Sequence, residues 1–196
     1  VYKRQLPVWL QELIEENAET FSTENSVASR MNVTPLKITL KKDVKVPDKH
    51  ITASLPPIHL RKSADKLMKN MLKNNLVAKA DRHKGPVSRA FFKAKRSGEA
   101  RLLVDFKSSK VNSMIEKSVQ PQFSVEQLVS QVPPGMNFFY SADIQNAFFC
   151  YPIEDGPEGS DICVFLTHLG KFKFRVLAQG LCVSQFALGE TMTEVM

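Results

Sequence analysis

The sequence predicts a mixed α+β fold in which helices pack against antiparallel strands. Short apolar runs bounded by turn residues indicate several strands, and other segments repeat apolar residues at helical spacing. Helices and strands do not alternate regularly, which argues against a parallel sheet built from repeated strand–helix–strand units. The chain has 196 residues, of which 43% are hydrophobic, so it is long enough to bury a substantial core.

The N-terminal half contains two predicted helices and one strand candidate. Residues 7–21 form the first helix, and its apolar face consists of Trp9, Leu10, Leu13 and Ile14. Residues 36–46 are the strand candidate, and they lie in a region that contains several prolines. Ser63 is a possible cap of the second helix, whose buried stripe consists of Leu67, Met68, Met71, Leu72 and Leu76. Lysines at positions 62, 66, 69 and 73 lie on its other faces.

The remaining predicted elements follow in order. Residues 90–95 and 101–106 are two strands joined by a turn that contains Gly98. Ser124 and Gln127 form a capping box for a short helix over residues 124–132, and residues 137–144 form a further strand. The last elements are a hairpin of residues 161–167 and 171–177, and a helix from residue 184 onward.

Charge is unevenly distributed along the chain. Residues 31–120 hold 21 Lys or Arg against 7 Asp or Glu, a net charge of +14. The net charge is −2 over residues 1–30 and −5 over residues 121–196. A basic middle is typical of a phosphate-binding surface or simply of a solvated one, and an acidic segment after it suits a divalent metal ion.

Several classes of protein are not favoured. No run of 18 uncharged apolar residues is present, so we expect neither a membrane span nor a membrane partner. The first residues lack the apolar core of a signal peptide. Three scattered cysteines and four histidines without metal-ligand spacing favour reduced thiols over a zinc site, which predicts an intracellular location.

Five separated segments of the chain match, in order, the motifs of one protein family. Residues 91–112 are similar to the hairpin "VKKKDGxWRxxVDYRxLN", and YSADIQNAFFCYPI at 140–153 is similar to "FSxLDLxSGYHQI". Residues 166–196 resemble "TxxGxYEFxVMPFGLxNAPxxFQxxMxxVL". These motifs resemble those of the reverse transcriptases of LTR retroelements, and most closely those of gypsy-type retrotransposons. Residues 36–47, LKITLKKDVKVP, resemble the extended entry segment of that family, and residues 66–80, KLMKNMLKNNLVAKA, resemble its fingers helix. The resemblance implies a location in the cytoplasm or in a virus-like particle.

Some positions depart from the family pattern. The Ser-Pro stretch is reduced to Gly85-Pro86, and Lys110 stands where the family has Asn, with Asn112 two residues later. The "FGL" segment reads AQGL, and "NAP" reads CVSQ. The YxDD motif is absent, and the resemblance implies that it lies beyond the helix in which this sequence ends. We therefore expect a piece of a longer polyprotein without thumb or RNase H.

The resemblance implies an organisation and a reaction. Residues 1–30 are a connecting helix and linker, residues 31–120 are the fingers, and residues 121–196 are a partial palm of a right-hand polymerase. The complete enzyme would transfer nucleotides from dNTP to a primer 3′-hydroxyl on an RNA or DNA template, using two Mg²⁺ (or Mn²⁺) ions. Asp143 is the first catalytic carboxylate and metal ligand, and the carbonyl of Ile144 is a further ligand.

The same resemblance assigns binding residues. Phe148 matches the aromatic gate that excludes a 2′-hydroxyl, although packing in the core is its ordinary alternative. Arg101 matches the arginine along the incoming triphosphate, and either Lys95 or Arg96 takes the role of a triphosphate lysine. Gln179 falls near the nucleotide sugar. Template or primer phosphates are the expected partners of Arg89, Lys107 and Lys110. Asp105 is expected to make a structural contact or to border the template, and not to bind metal.

Two interpretations remain open at this stage. The first is the fingers and partial palm of an RNA-directed DNA polymerase, inactive as an isolated piece. The second is a decayed or domesticated copy that only binds nucleic acid or a protein. The retained Asp143, Phe148 and Arg101 favour the first, and the downstream YxDD motif distinguishes the two. An RNA-dependent RNA polymerase is disfavoured because Phe148 is bulky.

Overall fold

A computed structural model of the chain describes residues 7–17, 30–42, 44, 51–116, 125–137, 144 and 146–195. The helices in these residues are α1 Val8–Glu16, α2 Arg61–Lys73, α3 Val111–Met114, α4 Val125–Ser130, α5 Ala147–Cys150 and α6 Ser184–Val195. The strands are β1 Val77–Lys79, β2 Ser88–Ala94, β3 Ala100–Asp105, β4 Val164–Thr167 and β5 Gly170–Phe174. Short 3₁₀ turns lie at Ile58–Leu60 and Ser160–Ile162.

The strands form one sheet in the order β1-β5-β4-β2-β3. The pairs β1·β5, β4·β5 and β2·β3 are antiparallel, and the sequence predicts the two hairpins β2·β3 and β4·β5 among them. The exception is a short parallel pairing of β2 with β4, in which Ser88 lies opposite Phe165. This pairing joins the two hairpins into one sheet, and nothing in the local sequence of either hairpin indicates it. The α+β class is therefore confirmed, with one parallel pairing added.

The core lies where α2 and the chain around residues 106–115 and 176–181 cover this sheet. Its largest fully buried side chains include Phe106, Phe165, Ile38, Met68 and Ile115. Phe165 of β4 stacks against Phe172 and Phe174 of β5, with ring centroids 6.1 and 4.7 Å away. Burial of each such aromatic or aliphatic side chain contributes about 1.5–3 kcal/mol.

Helix α2 forms where its apolar stripe predicts, and Ala64, Met68 and Met71 are its buried residues. It ends in a Schellman motif, because Leu76 N–H donates to the Met71 carbonyl at 2.9 Å and Asn75 N–H to the Leu72 carbonyl at 3.0 Å. Asn75 occupies the left-handed position with φ 57°, which asparagine tolerates better than most residues. Ser63, the predicted cap, instead accepts the N–H of Ala100 at 2.8 Å.

Two polar contacts fix the β4–β5 hairpin. Lys173 Nζ donates to Asp155 at 2.7 Å and to Asp161 at 2.9 Å. Hydrogen bonds from Lys173 and Ser160 lower the pKa of Asp155 to about 2. At the hairpin tip, His168 Nε2 lies 2.8 Å from Asp65 Oδ1, which connects the tip to helix α2.

All three cysteines are free thiols. Cys163 is fully buried, and burial with the neighbouring Cys182 raises the pKa of its thiol to about 12. Burial also raises the pKa of Cys150. This state agrees with the expected reduced cysteines. No helix within the described ranges has the length and apolar character needed to cross a membrane.

Some predicted elements differ from the structure. Residues 36–42 form only isolated bridges, from Leu36 to Ile153 and from Leu40 to Ile115, so the predicted strand is wrong over this range. Helix α1 has no buried residue, and Trp9 is 64% exposed. The predicted strand at 161–167 begins only at Val164. Most of the predicted strand at 137–144 lies outside the described residues, as do Ser124 and residues 18–21.

Candidate functional site

A pocket of about 250 Å³ lies between α2, the β2–β3 hairpin and the two chain segments around residues 146–149 and 179. It is lined by Leu67, Met71, Lys95, Ala100, Arg101, Leu102, Val104, Asn146, Phe149, Phe174 and Gln179. The wall is mostly apolar and carries a few polar groups, which is typical of a small-molecule site.

Three of the residues that the sequence assigns to dNTP binding meet in this pocket: Lys95, Arg101 and Gln179. Arg101 Nη2 donates a hydrogen bond to Gln179 Oε1 at 2.8 Å, although the two residues are 78 positions apart. Lys95 lies 3.7 Å from Glu99 across the turn, and both side chains are at least half exposed. An exposed pair of this kind contributes little stability, so Lys95 stays available to a ligand.

The β2–β3 hairpin positions the two cations of the pocket. Lys93 and Arg101 are opposite residues in the register, and Lys95 N–H donates to Glu99 O at 2.8 Å to close the turn. Gly98 has φ 82°, a left-handed conformation that the turn requires. Arg96 is exposed at the tip and does not line the pocket, so the structure brings Lys95 rather than Arg96 to Arg101.

The segment that follows Asp143 forms the aromatic wall. Asn146 adopts φ 55° and ψ 33° immediately before α5, and it lines the pocket together with Phe149. Phe148, the predicted sugar gate, is partly buried and packs against the core cluster outside the pocket lining. Ile144 is 44% exposed. Asp143 lies outside the described residues, so its position and its metal role stay predictions.

Gln179 is held in place by a contact that the sequence analysis did not assign. Asn112 of α3 donates from Nδ2 to the Gly180 carbonyl at 2.9 Å and accepts the Cys182 N–H on Oδ1 at 3.0 Å. Gly180 has φ 90°, and an added Cβ would lie 3.6 Å from the Val104 carbonyl. Backbone conformation, and not space, therefore requires glycine beside Gln179. The only sequence signal was the asparagine displaced from its family position.

The predicted template residues lie around the base of the hairpin and do not line the pocket. Arg89 is exposed and donates to Thr52 Oγ1 at 3.2 Å. Lys107 and Lys110 are exposed on the turn after β3, where Lys110 has φ 62°. Asp105 accepts the Ser108 N–H at 2.8 Å, and hydrogen bonds from Ser108 lower its pKa, which agrees with its expected structural contact.

Among the described residues no three His, Cys, Asp or Glu side chains lie close enough to hold a metal ion. The described pocket lining also contains no carboxylate. The described residues therefore do not form a Mg²⁺ site by themselves.

Comparison with solved structures identifies similar folds. The chain matches a CSH mutant of prototype foamy virus protease-reverse transcriptase with TM-score 0.74 and 16% identity, over 98% of this chain and 25% of that one. It also matches the foamy viral protease-reverse transcriptase in complex with dsDNA, with TM-score 0.75 and 16% identity, over 99% and 40% of the two chains. A dRH form with dsDNA gives TM-score 0.72 and 18% identity, over 95% and 31%.

The chain thus spans a quarter to two fifths of these structures. No family model and no curated protein matches it. The identities are low, so the likeness establishes the fold and not the chemistry. The α+β sheet described above has the architecture of the fingers and palm of a reverse transcriptase.

Proposed function

We propose that this chain is the fingers and partial palm of an RNA-directed DNA polymerase from an LTR retroelement. In this proposal residues 1–30 connect it to the preceding polyprotein, residues 31–120 are the fingers, and residues 121–196 begin the palm. The fold likeness supports the proposal, and two of the similar proteins are described as complexes with dsDNA. The partners of the complete polymerase would be template–primer, dNTP and the rest of the polyprotein.

One observation carries the proposal. Arg101 and Gln179 were assigned to the nucleotide from separate sequence motifs, and their side chains form a hydrogen bond inside one pocket with Lys95 nearby. A guanidinium offers planar paired donors that match phosphate oxygens, and an ammonium adds a second positive charge. Gln179 Oε1 holds Arg101 in the pocket, so less conformational freedom is lost when phosphate binds.

The pocket volume limits what it encloses. At about 250 Å³ it is just below the usual range of small-molecule sites, which begins at about 300 Å³. We infer that it covers part of a nucleoside triphosphate and leaves the rest against the template. Arg89, Lys107 and Lys110 would contact template or primer phosphates, which position the strand without reading its sequence.

Catalysis in the complete polymerase is assigned to Asp143. Its carboxylate and the Ile144 carbonyl would hold Mg²⁺ or Mn²⁺ together with carboxylates beyond Met196. The metal ions would supply charge stabilisation for phosphoryl transfer. Phe148 is proposed as the sugar gate, with Phe149 forming the pocket wall beside it.

Binding of dNTP by this chain tests the pocket. Isothermal titration with dTTP should detect binding by the natural chain, and Arg101→Ala should weaken it by about tenfold or more, because a charged hydrogen bond contributes about 1.5–3 kcal/mol. Arg82→Ala is the matched control, since Arg82 is exposed and does not line the pocket. Equal affinity of the two variants would contradict the assignment.

Primer extension tests the reaction. A longer polypeptide that contains this chain and the downstream palm should incorporate dNTP, and its Asp143→Asn variant should not. The isolated chain should be inactive. Nucleic-acid binding without incorporation by the longer polypeptide would instead support a decayed binding module.

A further inference from the structure

Helix α2 carries four lysines in a line on its exposed side. Lys62, Lys66, Lys69 and Lys73 are four, three and four residues apart, which places them on one face of the helix. All four are exposed. The opposite face holds Ala64, Met68 and Met71, which are buried in the core. The lysine line therefore points away from the sheet and from the pocket that Leu67 and Met71 help to form.

These charges have no acidic partner in the part of the chain that the structure describes. The salt bridges there involve Lys95, His168 and Lys173, and none involves a lysine of α2. The acidic residue within α2 is Asp65, which is bonded to His168. Like charges four residues apart destabilise an isolated helix by about 0.2–0.5 kcal/mol per pair, so the arrangement has a stability cost.

Two arginines contact Asn75, just beyond the C-terminal end of α2. Arg30 Nη2 donates to the Asn75 carbonyl at 2.8 Å, and Arg175 Nη1 donates to Asn75 Oδ1 at 2.8 Å. Both side-chain bonds are exposed. One residue in a Schellman turn thus holds two guanidinium groups close together, two positions after Lys73. Among the described residues each guanidinium makes one side-chain hydrogen bond, so its remaining N–H donors can meet an external acceptor.

We propose that these six cations bind the phosphate backbone of single-stranded nucleic acid on a surface separate from the candidate pocket. We name this surface the basic track, and it consists of Lys62, Lys66, Lys69, Lys73, Arg30 and Arg175. The lysines alone span about 16 Å at 1.5 Å per residue. The track reads no bases, because all its groups are cations on a convex helix face.

Other polyanions fit the track less well. A helix that binds a membrane surface inserts an apolar face, whereas the apolar face of α2 is buried in the core at Met68 and Met71. The exposed face of α2 between the lysines carries no aromatic side chain that would anchor in lipid or in a protein interface. The four lysines form a regular row of single positive charges, and this row matches a nucleic-acid strand, which carries one phosphate charge per nucleotide.

A salt series with matched variants tests the proposal. The probe is a fluorescein-labelled oligo(U) RNA, and its binding is followed by anisotropy. The test variant changes Lys62, Lys66, Lys69 and Lys73 to Gln. The control variant makes the same change at Lys37, Lys42, Lys79 and Lys84, which are also exposed and lose the same charge. Circular dichroism and urea unfolding confirm that both variants fold.

The expected result is specific to the track. The test variant should bind the RNA about tenfold more weakly. The plot of log K against log salt should become less steep by about 3, because each lysine contributes about 0.7 to its steepness for a single strand. The control should change both values much less. A variant with four Arg in place of the four track lysines should retain binding.

Two results would overturn the proposal. Equal losses in the test and control variants would mean that net charge alone drives binding. Retained RNA binding with lost binding to phosphatidylserine vesicles would mean that the track is a membrane surface. Titration of the test variant with dTTP tests the two proposals separately. If both hold, the test variant should bind dTTP as tightly as the natural chain does.

Discussion

Replacement of Asn112 tests how the chain holds the segment beside its candidate pocket. The side chain joins α3 to residues 179–182 through one donated and one accepted hydrogen bond, at 2.9 and 3.0 Å. Asn112→Ala removes both. A net hydrogen bond contributes about 0.5–1.5 kcal/mol, and an unsatisfied buried group costs about 1–3 kcal/mol.

The loss of stability in Asn112→Ala depends on how exposed each of the two groups bonded to the Asn112 side chain is. Gly180 is exposed, so water replaces its lost donor and the cost is about 0.5 kcal/mol. The Cys182 N–H is partly buried, so its loss costs about 1–1.5 kcal/mol. We therefore expect Asn112→Ala to lower the free energy of unfolding by about 2 kcal/mol. Asn112→Asp keeps the acceptor for Cys182 but sets a carboxylate against the Gly180 carbonyl, so it also removes stability.

The assay is urea unfolding at neutral pH. The slope of the unfolding free energy against urea concentration should be the same in both proteins, which checks that the surface exposed on unfolding is unchanged. Ser113→Ala is the matched control, because Ser113 Oγ makes one local bond to the Lys110 carbonyl on the same helix. A loss in Asn112→Ala no greater than in Ser113→Ala would refute the reasoning. Loosening of Gln179 should also weaken dTTP binding by Asn112→Ala in the same titration.

Three further predictions concern single positions. Asp155→Asn should lower stability at pH 7 by under about 1 kcal/mol, since the carboxylate facing Lys173 is 62% exposed and screened. The pKa of Asp155 is depressed to about 2, so the carboxylate stabilises the fold above about pH 4 and loses this effect towards pH 2. The urea midpoints of the natural chain and Asp155→Asn should therefore converge as the pH falls, and a constant difference between them would contradict this. Gly180→Ala should destabilise by about 1–2 kcal/mol from its left-handed backbone, whereas Gly189→Ala in open space on α6 should stabilise by about 0.5–1 kcal/mol; equal urea midpoints would refute this contrast. Phe148→Val in the longer polymerase should admit ribonucleotides, and unchanged sugar discrimination in primer extension would remove its gate role.

Local sequence patterns predicted the elements that depend on local periodicity. The stripe of α2, the β2–β3 hairpin around Gly98 and helix α6 all form where the sequence places them. Strand β1 has three residues, too few to show alternation. Its pairing with β5 depends on residues far away in the chain, such as Phe174, which lies opposite Val77 and 97 positions from it. Helix α5 was not predicted, because its four residues are too few to show a helical period.

In the candidate site, too, some residues were predictable from sequence motifs and others depend on contacts between distant parts of the chain. Resemblance of motifs selected Lys95, Arg101 and Gln179, and the pocket brings them together. The role of Asn112 was not predictable, because it depends on contact between α3 and residues 180–182, which are far away in the chain. The choice between Lys95 and Arg96 also depended on the hairpin turn, whose direction follows from the backbone of Gly98.

The unequal burial of the thiols has a practical consequence for following how the chain opens. Cys163 is fully buried, and burial raises the pKa of its thiol to about 12, so it reacts with an alkylating agent only when the core unfolds. Cys182 is less buried and sits on the segment that Asn112 holds. Pulsed alkylation read by mass spectrometry would therefore time two events in one sample: release of the 179–182 segment at Cys182, and loss of the whole sheet at Cys163.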